Sequence, residues 1–132
     1  MIKLPNLFSN IKKANKNNLD KISIKAPISK EIHQLLIILY KEGYISKFCY
    51  KVDKNNKYRV VIFFNRGLNS TNKILNIKNI SKQSNRVYCS TKLLWRLKSN
   101  FGIYIISTKY GLLTDREAKQ LNVGGEILCA VY

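Results

Sequence analysis

Between residues 29 and 43, Ile32, Leu35, Leu36, Leu39 and Tyr40 recur at helical spacing, and Gly43 follows as a C-terminal stop. The next two apolar runs differ. Residues 44–52 and 58–64 are rich in aromatic and β-branched side chains, and Asp53-Lys-Asn-Asn-Lys57 separates them as a turn. A one-sided helix has to bury its stripe against another element, and the two strands supply a sheet for it. Upstream, Lys21-Ile-Ser-Ile-Lys25 alternates at period two and is predicted as a strand. Leu4, Leu7, Phe8 and Ile11 fall at helical spacing, with Lys12, Lys13 and Lys16 elsewhere around the turn. Residues 1–65 are therefore expected to form an N-terminal helix plus a βαββ lobe.

Residues 65–72 are polar, contain one glycine and lack periodicity, so 66–72 are expected to be a linker. Beyond them the pattern shifts to short strands, predicted at 74–80, 86–89, 102–107 and 125–132. Thr114-Asp-Arg-Glu117 is a capping-box sequence that opens a short helix ending near Asn122. The expected class is α+β, with a mainly β C-terminal lobe over residues 73–132. No internal repeat is visible.

Lysine and arginine number 24 against 7 acids, a net charge of +17 on 132 residues. Self-repulsion of that size weakens the compact state unless a polyanion neutralises it. Nucleic acid fits best, because each phosphate contact releases a condensed counterion. A membrane surface is the other polyanion, but no basic amphipathic helix stands out, nor does an apolar run of spanning length, a signal peptide or a transit peptide. The basic residues are mostly lysine, and asparagine and isoleucine are also abundant, a set whose codons are rich in A and T.

Cys49, Cys89 and Cys129 stand far apart with no C-x-x-C pair, and His33 is the sole histidine. Neither a zinc site nor a disulfide framework is expected, and buried free thiols are. No cofactor or small-molecule substrate is implied. Enzymatic chemistry would need paired carboxylates, a nucleophile beside a base, or a metal cluster. The closest acids, Asp115 and Glu117, are accounted for by the capping box and helix dipole. Glu126, after Gly124-Gly125, is expected to orient a lysine, a hydroxyl or a backbone amide.

Two polar clusters suit RNA better. Ser107-Thr-Lys-Tyr-Gly111 ends a strand in two hydroxyls, a cation, an aromatic and a glycine. Hydroxyls donate and accept, so Ser107 and Thr108 can meet base edges or the 2′-OH, Lys109 a phosphate, and Tyr110 a base face. Gly111 lets backbones approach closely. Ser81-Lys-Gln-Ser-Asn-Arg86, followed by Tyr88, is the second cluster, with Lys82, Asn85, Arg86 and Tyr88 as candidates. Either could equally be a polar turn between strands.

Ile80-Ser-Lys-Gln-Ser-Asn-Arg-Val-Tyr88, Gly102-Ile103, Ser107-Thr-Lys-Tyr-Gly-Leu-Leu-Thr-Asp-Arg-Glu-Ala118 and Val123-Gly-Gly-Glu-Ile-Leu-Cys129 resemble the eighth small-subunit ribosomal protein family, bacterial and organellar type. Ile28-Ser-Lys30 and Lys41-Glu-Gly-Tyr-Ile45 resemble its N-terminal lobe, so the likeness covers nearly the whole chain. It implies a structural protein, not an enzyme, that binds the central domain of small-subunit rRNA early in assembly, beside neighbouring ribosomal proteins. It also implies that Ser107 and Thr108 meet the rRNA, with Gly124, Gly125 and Glu126 supporting them. Arg86 and Tyr88 would face the same stem, and Lys30 would reach its backbone from the other lobe. Two departures stand out. Lys109 replaces the family's third loop hydroxyl, and Gln83-Ser84 replaces a Pro-Gly turn. The codon-biased composition, the diverged loop and the absence of a presequence point to an organelle-encoded protein of a mitochondrial ribosome, with a plastid or a bacterial cytoplasm as alternatives. A translational repressor or an RNA-processing enzyme is the rival function.

Overall fold

The computed structural model describes residues 3–65, 76–97 and 102–132. The chain divides into two compact units, Met1–Leu75 and Asn76–Tyr132. The expected linker at 66–72 lies outside the described residues.

The N-terminal unit holds α1 (Leu4–Lys16), β1 (Lys21–Lys25), α2 (Lys30–Lys41), β2 (Ile45–Val52) and β3 (Tyr58–Phe64), the elements the sequence predicts. Pro5 starts α1 at a position where its missing N–H costs nothing, and Lys13 and Lys16 sit at the negative end of the helix dipole. Ser29 caps α2, its Oγ accepting from the Ile32 N–H at 3.3 Å. Gly43 ends α2 as expected, and the Tyr44 N–H donates to the Leu39 carbonyl. The strands form an antiparallel sheet in the order β1-β3-β2. α1 lies against β1 and α2 against β2. Leu7, Ile11, Ile32, Leu35, Leu36 and Leu39 are buried on the helices, and Ile24, Val60, Ile62 and Phe64 on the sheet. Truncating one of these leucines to alanine typically costs 2–5 kcal/mol. Tyr40, expected in the stripe, is instead 55% exposed, because its phenol lies at the polar edge of the helix. Cys49 is only half-buried, contrary to expectation, since its strand turns it away from the helices.

The C-terminal unit contains β4 (Ile77–Asn79), β5 (Tyr88–Cys89), α3 (Thr91–Arg96), β6 (Ile103–Thr108), β7 (Gly111–Thr114), α4 (Asp115–Leu121) and β8 (Gly125–Val131). Its antiparallel sheet runs β4-β8-β6-β7, and β5 pairs with the early part of β8. Helix α4 opens where the capping-box sequence places it: Thr114 Oγ1 accepts from the Glu117 N–H at 3.2 Å, and Asn122 ends the helix in the left-handed region. Cys89, Leu94, Ile106, Ala118 and Ile127 make a core under α3 and α4. Two elements exceed the sequence reading. The six-residue α3 starts from Ser90, whose Oγ accepts from the Leu93 N–H. β7 arises because Leu112 and Thr114 are buried at period two. The unit thus holds more helix than expected while its sheet still dominates.

Candidate functional site

β8 is the organising strand of the C-terminal unit. Its register places Glu126 opposite Ser107 of β6 on one side and opposite Tyr88 of β5 on the other. Directly opposed residues of an antiparallel pair share a face. Tyr88, Glu126 and Ser107 therefore form one row across three strands, brought together from distant sequence positions. Gly124 and Gly125 make that closeness possible. A Cβ on Gly125 would lie 2.1 Å from the Ser107 carbonyl oxygen, and one on Gly124 would lie 2.4 Å from the Cys89 carbonyl oxygen. Any larger residue would force the strands apart.

The loop at the end of β6 is a tight hairpin. Thr108 pairs with Gly111, leaving Lys109 and Tyr110 at the turn. Thr108 Oγ1 donates to the Gly111 carbonyl at 2.9 Å and accepts from the Tyr110 N–H at 3.2 Å. Gly111 has φ 104°, a conformation side chains disfavour. Ser107 is half-buried, and its hydroxyl has no hydrogen bond among the described residues. At the tip, Lys109 Nζ lies 5.0 Å from the centroid of the Tyr110 ring, which is 62% exposed.

The second cluster is also a tight turn. The Lys82 and Asn85 backbones exchange hydrogen bonds at 3.0 Å around Gln83-Ser84. Ser81 is buried and clasps Val87, its Oγ accepting from the Val87 N–H and donating to the Val87 carbonyl. This leaves Lys82, Asn85 and Arg86 exposed. Arg86 Nη1 donates to Glu126 Oε1 at 3.1 Å. Glu126 thus orients an arginine, a partner that the sequence reading did not name. The signal was faint, since nothing in the sequence aligns residues 40 positions apart.

Of the candidate residues, Arg86, Tyr88, Ser107, Gly124, Gly125 and Glu126 gather around β8, with Thr108 to Gly111 as the hairpin beside them and Lys82 and Asn85 on the clasped turn. Lys30 belongs to the other unit, as the first residue of α2. His33 packs edge-on against Phe48, as a structural histidine would.

Burial pushes the Cys129 thiol up to about 12 and raises that of Cys89 as well, so neither serves as a thiolate nucleophile near neutral pH. Among the described residues no group of three His, Cys, Asp or Glu could hold a metal, and no helix is long and apolar enough to cross a membrane.

These features define a basic α+β protein whose C-terminal sheet carries an aromatic, a carboxylate and a hydroxyl along one row, with cations in the turns beside it. The particular family follows from comparison: residues 3–132 match the family described as Ribosomal protein S8, and the chain belongs to it. It is 38% identical over 126 residues to the small ribosomal subunit protein uS8 of Rickettsia typhi, covering 96% of this chain and 93% of that one. The corresponding proteins of Rickettsia rickettsii (strain Sheila Smith) and Rickettsia felis are 39% and 38% identical with the same coverage.

Proposed function

We propose that this protein is a structural constituent of the small ribosomal subunit that binds the central domain of small-subunit rRNA and supports its assembly. It works as a ribosomal protein and not as an enzyme, in keeping with its family. The observation that carries the reading is the row Tyr88, Glu126 and Ser107, flanked by cations in two clasped turns. Ser107 offers a hydroxyl with no hydrogen bond among the described residues, Tyr88 and Tyr110 offer ring faces, and Lys82, Arg86 and Lys109 offer charge for phosphates. Thr108, Gly111, Gly124 and Gly125 hold that arrangement, and Asn85 borders it. Lys30, on the N-terminal unit, contributes a contact to the rRNA backbone. Neighbouring ribosomal proteins complete the surroundings.

The composition supports a mitochondrial ribosome: 19 of the 24 basic residues are lysine, and asparagine and isoleucine are abundant. The bacterial sources of the relatives favour a bacterial cytoplasm as the alternative.

Sedimentation of the native protein tests the reading. It is expected to travel with small subunits, and a wholly free pool would refute it. Filter binding to the cognate stem should show log K falling with log salt at a slope of about −4, if about five phosphates are neutralised. Equal affinity for a scrambled stem would reduce the protein to a non-specific polycation.

A further inference from the structure

The outer face of the N-terminal sheet carries a second arrangement that the C-terminal site does not use. Lys21, Ser23 and Lys25 of β1 lie opposite Phe63, Val61 and Arg59 of β3. Lys47, Cys49 and Lys51 of β2 lie opposite the same three residues. Strand side chains alternate between faces, so these nine share the face turned away from the buried Ile24, Val60, Ile62 and Phe64. All four lysines are exposed, and Phe63 is only partly buried.

Three of the lysines converge on the ring. The ammonium nitrogens of Lys21, Lys47 and Lys51 lie 5.9, 4.7 and 5.6 Å from the Phe63 centroid. Arg59 is tied to Asp53 at 3.5 Å, so the lysines supply the uncompensated charge. The ring quadrupole attracts each ammonium, but three like charges around one ring still repel one another. A polyanion relieves that repulsion.

Its kind follows from the layout. Adjacent strands lie about 4.8 Å apart, so the lysines of β1 and β2 flank the β3 row of Phe63, buried Val61 and Arg59 across roughly 10 Å, with Phe63 as that row's single aromatic ring. A central ring between two rows of cations suits a strand whose bases stack while its phosphates run alongside. A duplex hides its base faces and would leave Phe63 unused. An acidic protein segment answers the charge but brings no base to stack.

We infer that this face takes an unpaired RNA strand, with a base stacked on Phe63 and phosphates held by Lys21, Lys47 and Lys51. The arriving base displaces the ammonium groups from the ring, and they turn outward to the phosphates. This surface rests on the N-terminal unit alone and does not require the C-terminal loop to be a reader of rRNA.

The test uses the full chain and two probes, a labelled twelve-nucleotide oligouridylate and the rRNA stem expected at the C-terminal site, with thermal melts to establish that each variant is folded. Phe63→Leu keeps an apolar residue on the strand and is expected to weaken oligouridylate binding about tenfold. Lys21→Gln, Lys47→Gln and Lys51→Gln together are expected to lower the magnitude of the oligouridylate salt slope by about two units. Both variants should bind the stem within twofold of wild type, whereas Ser107→Ala with Thr108→Val should lose stem discrimination and keep oligouridylate. That last variant alone judges the C-terminal reading. A folded Phe63→Leu protein that binds oligouridylate like wild type overturns the inference. So does a polyglutamate that competes as well as oligouridylate, which would make the face a site for acidic protein, or a loss of stem affinity equal to that of oligouridylate.

Discussion

Lys21, Lys47 and Lys51 stand on paired strands around Phe63, whereas Lys82 and Lys109 stand in turns held by the hydroxyls of Ser81 and Thr108. Both units present positive charge, but they fix it differently. On the N-terminal sheet the strand register alone places each cation, and an exposed lysine can change without disturbing the backbone. In the C-terminal unit the turn places the cation, and the turn depends on side-chain hydrogen bonds of Ser81 and Thr108 and on glycines that let strands meet. The first surface should therefore separate cleanly into individual charges, and the second should respond to substitutions as structure and binding together.

The largest break in that contrast should come from Gly125→Ala. The added Cβ meets the Ser107 carbonyl oxygen at 2.1 Å, and relief requires β6 and β8 to part. A destabilisation of about 3 kcal/mol is expected in urea melts, together with loss of stem discrimination. Ser23→Ala, on the exposed outer face of the N-terminal sheet, should stay within about 0.5 kcal/mol. Equal melts for the two variants would remove the distinction.

Thr108 and Ser107 sharpen it next. Thr108→Val removes both hydrogen bonds of the hairpin and should lower stability by about 1–2 kcal/mol. Ser107→Ala breaks no side-chain hydrogen bond among the described residues and should leave the melting temperature unchanged while costing about 1 kcal/mol of stem affinity. Combined, they should cost about 1–3 kcal/mol for the cognate stem and almost nothing for a scrambled one. A Ser107→Ala protein that discriminates like wild type would move the reading function to Arg86 and Tyr88.

Glu126→Gln should have a smaller effect. Glu126 and Arg86 are 18% and 52% exposed, so solvent screens the pair and its loss should cost at most about 1 kcal/mol of stability. Stem binding should weaken by about 1 kcal/mol as Arg86 loses its orientation. RNA cleavage by the wild type, abolished in this variant, would contradict the non-enzymatic reading. The smallest change belongs to Lys109→Ala. It should reduce the magnitude of the salt slope by about one unit, for cognate and scrambled stems alike, without altering the melt.

Periodicity made most of the fold legible. The stripe of α2 and the alternation of β1 were strong because one face of each is buried, and β3 followed from its aromatic and β-branched run. α3 escaped because its N-cap Ser90 has no glutamate or glutamine three residues later, where Leu93 stands, and six residues are too few to show a stripe. β7 escaped because Gly111 to Thr114 was absorbed between a polar loop and a capping box. The polar clusters were visible as composition, but their internal bonding was not. That Glu126 meets Arg86 is a product of sheet register, which no local pattern encodes. The gathering of lysines on Phe63 was hidden for the same reason: each lysine looks like ordinary surface charge until β1, β3 and β2 are aligned.

The hairpin bond of Thr108 also gives the loop a polarity. A hydroxyl has one hydrogen to give and two lone pairs to receive with. Thr108 has already committed its hydrogen to Gly111 and one lone pair to the Tyr110 amide. What remains is a single acceptor. A bare phosphate oxygen arriving at that point meets lone pair against lone pair, while an amino group or a sugar hydroxyl brings the missing hydrogen. Position 108 can thus act as a one-way filter, sorting approaching atoms by which of them carries the proton.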